Sequence, residues 1–355
     1  MTMKKTVSLL AAALVAFISL GSVHAEENPK VIRIAFSGAG VGGKPGSGSS
    51  YIATAHQQGV LEKEFEKDGI KIEWSFFVGA GPATNEALAL KKVDFASQGD
   101  LPLIVARSTG LRTKIILKSA QFSKNYLVVP SNTPYKTIED LKGKKVTVQK
   151  GTATQLLLNR VLEQHGMKED DLRVIDMNSD SQKAALSTGD VDGSLQSGTD
   201  LVARGLIRRI LKIDDPTVNA PSFIWVTEEF EQKYPHLVQR FVNTLLKVAA
   251  WSADEKTRND QFRLWAKSGN PFGDYKEDFQ GDILRDRLNP LLDEYFVSML
   301  NKSIGETKKF RFTRRDVSTE GWIEPKYLNT GLKELKLEGF WDEFDANAKR
   351  KPKTK

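Results

Sequence analysis

Between Val78 and Pro102 the chain reads VGAGPATNEALALKKVDFASQGDLP. A glycine-rich turn, Gly79 and Gly81, follows the apolar run Ile72 to Val78. Pro82 then stands where the first helical position is expected, and Asn85, Glu86 and Leu88 carry a helix forward. A strand is predicted over Val93 to Ala96, followed by a second polar turn, Gln98-Gly99-Asp100. A helix N-terminus preceded by glycines offers free backbone N–H groups and a positive dipole end, which suit an anion. Asp100 is the only side chain of either turn that could act as a general base. The local chemistry is that of holding a ligand, not converting it.

The same device recurs at Gly151-Thr152-Ala153-Thr154, after the expected strand Val146 to Gln149. Thr152 or Thr154 can cap the helix, or the same helix start can bind an oxyanion. Lys150 adds a positive charge or is simply solvated, and the glycine and lysine spacing is wrong for a phosphate loop. Asp100 can bind a cationic group or cap the helix that opens at Leu101-Pro102, and proline after aspartate favours the cap. Asp94, Asp190 and Asp192 are too dispersed, with no histidine cluster beside them, to read as a metal set. His24, His56, His165 and His236 are scattered and follow no catalytic order. Ser197-Gly198-Thr199 is equally a ligand-binding turn or an ordinary one. Trp74 reads as core, and Tyr51 is the better aromatic candidate for a ligand wall.

These turns need a scaffold. The strand Val31 to Phe36 leads into SGAGVGGKPGSGSS, Ser37 to Ser50, with six glycines in fourteen residues. It joins a strand to a helix expected over Tyr51 to Glu66, so it reads as a lid or specificity loop, not a linker between domains. Strands and helices alternate as far as Gln196, which argues an open α/β sheet in each of two units. From Pro235 the pattern turns helical: Leu237, Val238, Phe241, Val242, Leu245, Val248 and Ala249 form one apolar face. Amphipathic segments follow at Ile283 to Leu292, at Tyr295 to Leu300 and in a last helix from Lys326 to Lys336.

Composition narrows the function classes. The chain has 355 residues, 40% hydrophobic and 27% charged, which is enough for two ordinary domains. It has no cysteine, which removes disulfides, thiolate catalysis, iron–sulfur ligation and a lipid-anchored N-terminus together. Residues 1–25 read as a secretory signal: Lys4 and Lys5, the apolar core Leu9 to Leu20, and the cleavage site Val23-His24-Ala25. Export with the mature chain starting at Glu26 is expected, with no later membrane span. The formal charge of +7 falls to +5 when Lys4 and Lys5 leave. That is mild for this size and is no nucleic-acid footprint. The basic end, Lys349 to Lys353, is expected to be a frayed, solvated tail.

Taken in order, several of these segments resemble the periplasmic substrate-binding proteins of ABC importers for aliphatic sulfonates, nitrate and taurine. They are Val31-Ile32-Arg33-Ile34, His56 to Glu62, the G-x-G-P…E-A-L…V-D-F…G-D-x-P order from Gly79, Leu127 to Pro130, Ile138 to Val146, Lys150-Gly151-Thr152, and Gly189 to Asp192. The resemblance covers about residues 30 to 250. It implies an α/β, two-lobed periplasmic binding protein fold of type II, with hinge strands between the lobes and a helical C-terminal extension. Lobe 1 is expected over 26–121 plus 229–355 and lobe 2 over 122–228. It implies a monomeric periplasmic receptor, with no catalytic residue, metal or cofactor. That receptor closes on a small organic anion, a sulfonate or related sulfur compound, and delivers it to an ABC permease and its ATPase. Nitrate, taurine, a pyrimidine- or flavin-type heterocycle, or a sensor protein as partner stay open. Thiamine-pyrimidine synthases share the fold but carry a cysteine-rich iron motif that this chain lacks. Carried over by position, the ligand contacts are Ser49, Ser50, Gly81, Pro82, Gln98, Gly99, Asp100, Thr152, Thr154 and the turn after Val191-Asp192, where Gln196 and Ser197 stand. Many members have a Trp-Asp-Pro in place of this Gln196 to Thr199 turn, so an aromatic wall is expected from Tyr51 or is missing.

Overall fold

The structure is a computed structural model that describes residues 27–46 and 48–352. The expected signal segment lies outside the described residues. Among the described residues, ten strands build two sheets. They are β1 (Val31–Phe36), β2 (Lys71–Phe76), β3 (Phe95–Gln98), β4 (Thr113–Ala120), β5 (Asn125–Pro130), β6 (Lys145–Val148), β7 (Arg173–Asp176), β8 (Gly193–Leu195), β9 (Ile207–Ile213) and β10 (Ser222–Thr227). One sheet runs β2-β1-β3-β10-β4 and the other β7-β6-β8-β5-β9. In each, three parallel strands are followed by one that lies antiparallel to both its neighbours: β10 between β3 and β4, and β5 between β8 and β9. Each of these antiparallel strands arrives from the other lobe. The chain crosses from β4 to β5 and returns from β9 to β10, which is the two-lobed plan with crossing strands.

Ser222–Thr227 therefore belongs to the first sheet, and the expected lobe boundary at 228 moves back to before Ser222. Both β9 and β10 escaped the sequence reading. The run IRRILKI hides its period behind the adjacent Arg208 and Arg209, and SFIWVT is buried from Phe223 to Val226 without alternation. The helix expected over Tyr51 to Glu66 is two helices, Tyr51–Gln58 and Val60–Glu66, broken where Gly59 takes φ 63°. Pro82 is the third residue of its helix, Ala80–Ala89, not the first. The strand expected at Val93 to Ala96 lies two residues later, because Asp94 is engaged by Arg33 at the entry to the sheet.

The C-terminal helices wrap the first lobe. Phe95 of β3 stacks on Phe241 of helix Pro235–Ser252 with ring centroids 4.1 Å apart. Trp322, fully buried, donates its indole N–H to Thr113 of β4. Burying such side chains is worth about 1.5–3 kcal/mol each. Lys118 of β4 is sealed in with Asp293, 3.1 Å away, at the start of helix Glu294–Lys309. The tail does not fray over residues 349–352. Arg350 pairs with Asp342 and Asp286, and Lys351 with Glu294 and Glu343. Among the described residues no helix is long and apolar enough to cross a membrane.

Candidate functional site

Four helices start at one cavity of about 310 Å³ between the lobes. From the first lobe come Ala80–Ala89 and Asp100–Ser108, and from the second Ala153–Gln164 and Ser179–Thr188. Each follows the carboxyl end of a parallel strand, β2, β3, β6 and β7 in turn, which is where open α/β sheets place ligands. The lining residues sit in the first turns: Ala80 and Gly81, Gly99 and Pro102, Thr152 to Thr154, Asn178 to Asp180. Ser37 to Val41, after β1, form another wall, and Val78, Gln149, Lys183, Ser222 and Asn270 complete it.

The helix starts are left open by their own sequences. Gly79, Gly99 and Thr152 occupy the N-cap positions and none caps its helix through a side chain. The Thr152 hydroxyl instead donates to the Gln149 carbonyl at 2.6 Å, so of the two roles open to it capping is not taken. Asn178 does cap, accepting from Ser181 N–H at 3.0 Å, which leaves the earlier amides of that helix without an intrahelical acceptor. Ala80 enters its helix at φ 49°, a left-handed conformation that costs a non-glycine residue roughly 1–2 kcal/mol. Each helix start presents about half a unit of positive charge. Among the described residues Lys183 is the one cationic side chain on the wall, with Nζ 3.5 Å from Asp200. Asp274 lies close enough to both to feel their charge, and its own burial raises its carboxyl above the usual range. Among the described residues, no arginine, histidine or aromatic side chain lines the cavity.

The residues singled out from sequence divide into two groups. Gly81, Gly99, Thr152 and Thr154 are brought together on the wall. Pro82 lies behind it, its ring under Gly151, where a Cβ would approach to 2.9 Å. Gln98 is 2% exposed and serves the scaffold: it accepts from the Trp225 indole at 2.9 Å and donates to Asn85 and to the Gly81 carbonyl. Asp100 is fully buried and neither lines the cavity nor caps as expected. Its carboxylate takes hydrogen bonds from Arg160 and Ser303, both at 2.9 Å, and from Leu101 N–H. Tyr51 supplies no aromatic wall. It is fully buried, its hydroxyl donates to the Lys118 carbonyl, and burial holds its pKa well above the ordinary range. Ser50 is buried at the N-cap of helix Tyr51–Gln58, and neither it nor Ser49 reaches the cavity. Gln196 bonds back to Ser194, and the Ser197 carbonyl accepts from Arg209, so this turn also stands off the wall.

The sequence reading missed Ser37, Gln149, Asn178, Asp180, Lys183 and Asn270. The signal for Asn178 was present: Asn178-Ser179-Asp180 between a strand and a helix is a capping start. Nothing local marked Asn270, which arrives from the C-terminal helices.

Comparison with known proteins agrees with this fold. The NMT1/THI5-like family profile matches residues 60–257. An Escherichia coli K12 protein assigned to aliphatic sulfonate binding is 33% identical over 271 residues, 75% of this chain and 80% of that one. Among solved structures, the protein assigned as the periplasmic sulfonate-binding protein SsuA of a sulfonate ABC transporter in Methylobacillus flagellatus KT superposes with a TM-score of 0.74. It is 28% identical, over 90% of this chain and 98% of that one. The desulfurization enzyme DszB shares the fold at a TM-score of 0.62 and 18% identity, over 86% of this chain and 99% of that one.

Proposed function

The chain belongs to the NMT1/THI5-like family, and from that premise we propose that it is the solute-binding component of an ABC importer. It binds a small organic anion, a sulfonate, in the cavity between its lobes and delivers it to the permease and its ATPase. The observation that carries this reading is the convergence of four helix N-termini on one cavity whose described wall holds one lysine, no arginine and one carboxylate, Asp180, which the Gly42 amide engages at the rim. Such a site stabilises a delocalised, weakly basic anion through fixed N–H dipoles, without the desolvation cost of burying several cations. Sulfonate oxygens, which share one charge over three atoms, suit donors arriving from several directions. The similarity to proteins assigned to sulfonate binding points to the same class. Export through residues 1–25 and a monomeric periplasmic state belong to the same proposal.

DszB shows that the fold can carry an enzyme. Among the described residues the cavity wall holds no histidine, and the protein has no cysteine to act as a nucleophile. The wall hydroxyls of Ser37 and Thr152 are engaged with Thr84 and the Gln149 carbonyl, not with a base. Binding without turnover is the reading these side chains support.

Isothermal titration with short alkanesulfonates, taurine and nitrate tests it. Heat with the sulfonates is expected, and silence with all three classes would sink the anion reading. Thr154→Ala removes one neutral hydroxyl from the wall and should weaken sulfonate binding about three- to tenfold, with the unfolding temperature unchanged.

A further inference from the structure

Two hydrogen bonds join the lobes at the rim of the cavity, and both run from protein to protein. Asp180, in the first turn of helix Ser179–Thr188, accepts from the Gly42 backbone N–H at 2.8 Å. Gln149, just past β6, donates from Nε2 to the Val78 carbonyl at 2.9 Å. Asp180, Gln149 and Val78 line the cavity, and Gly42 follows the lining residue Val41. The second lobe contributes a side chain to each bond, and the first lobe a backbone atom.

The Gly42 side of the rim is firmly held. Val41 N–H donates to the Ser268 carbonyl at 2.8 Å. A Cβ on Gly40 would stand 2.2 Å from the same oxygen, so the loop after β1 lies flat against the C-terminal helices. Gly42 takes φ 67°, which glycine adopts without strain. The glycine-rich loop is thus a seated rim that offers one amide across the cleft. Val78 sits at the matching loop after β2.

We propose that Asp180 and Gln149 are closing residues: they position the lobes, touch no ligand atom, and set how long a ligand is held. The affinity consequence rests on the binding-protein reading above. The two bonds exist only when the lobes meet, so removing one lowers the closed population by a factor that does not depend on which ligand lies inside. The Asp180 bond carries charge assistance and the Gln149 bond does not, so Asp180 has the larger effect, about tenfold against about threefold. A residue that touched the ligand would instead give losses that vary with the ligand's shape.

The test uses Asp180→Ala, Gln149→Ala, the double variant, and Asp180→Asn, which keeps an acceptor oxygen for Gly42. Stopped-flow binding of methanesulfonate, ethanesulfonate and taurine should show faster dissociation by the same factor for each, with association changed less than about twofold. Asp180→Asn, which keeps the acceptor but not the charge, should recover about threefold of the tenfold loss. Factors that differ more than fivefold between ligands would overturn the closing role. A second arm needs no ligand. The protein has no cysteine, so Lys67→Cys and Asp170→Cys, exposed on opposite lobes, can carry a fluorophore pair. In ligand-free protein the double variant should shift energy transfer toward longer interlobe distances. An unchanged distribution overturns the proposal whatever the ligand proves to be. Wild-type protein that binds no sulfonate sinks the functional reading alone and leaves the distance measurement to decide the closing role.

Discussion

Asp100 illustrates how a residue with the right chemistry can do a different job. In sequence it stands in a polar turn at a helix start, as a ligand-binding carboxylate would. In the fold it is fully buried, and Arg160 reaches it from the second lobe. Arg160 also donates to Glu306, Ser303 and the Val218 carbonyl, so one guanidinium ties helix Ala153–Gln164 to helices Asp100–Ser108 and Glu294–Lys309. A buried ion pair is a weak source of net stability, but breaking it strands a charge. Asp100→Ala should therefore cost about 3 kcal/mol, the low end for such a break because Glu306 remains with Arg160. Urea unfolding measures it. A variant with unchanged stability and lost ligand affinity would return Asp100 to the binding site.

At the scale of elements, the helix N-termini were legible and their convergence was not. Glycine before Ala80, before Asp100 and before Thr152 marks three of the four starts by local rules, and those rules depend only on neighbours in the chain. Gln98 and Tyr51 misled because polar or aromatic character beside a turn says nothing of which way the side chain faces once Trp225 or Lys118 packs over it. Lys183 and Asn270 were invisible because the cavity is a tertiary product of two sheets and a C-terminal helix pair. Gly99 is where the elements can be tested against each other. A Cβ at Gly99 would lie 2.6 Å from the Ala153 Cβ on the opposing lobe. The φ of −82° suits alanine, so Gly99→Ala strains nothing within the first lobe. The clash exists only when the two helix starts face each other. The expected outcome is an unfolding temperature within a degree or two of wild type and sulfonate affinity at least about tenfold weaker, read by calorimetry. Equal affinity would mean that these helix starts do not come together around the ligand.

The whole molecule is held shut from outside the cavity as well. Helix Phe272–Asp278, part of the C-terminal extension, leans on the second lobe, where Arg209 of β9 pairs with Glu277 and donates to Thr199. The extension thus backs the glycine-rich loop at Ser268 and grips the opposite lobe at Glu277. The Arg209 hydrogen bond, more than any other influence, holds the Glu277 carboxyl below its usual 4.5. A carboxylate depressed in the folded state contributes stability that is whole above the unfolded value. That contribution is lost as pH falls through the folded one. The gap in unfolding temperature between wild type and Glu277→Gln should accordingly be constant from about pH 8 to about pH 5 and shrink below about pH 4.5. Asp274, whose carboxyl burial raises, moves in the opposite sense; its burial contribution is common to both proteins, and the smaller repulsion from Glu277 that the substitution removes opposes the Arg209 effect without reversing it. A gap that stays open at acid pH, or widens, would show that the clasp does not depend on the Glu277 charge and that the extension holds the second lobe by packing alone.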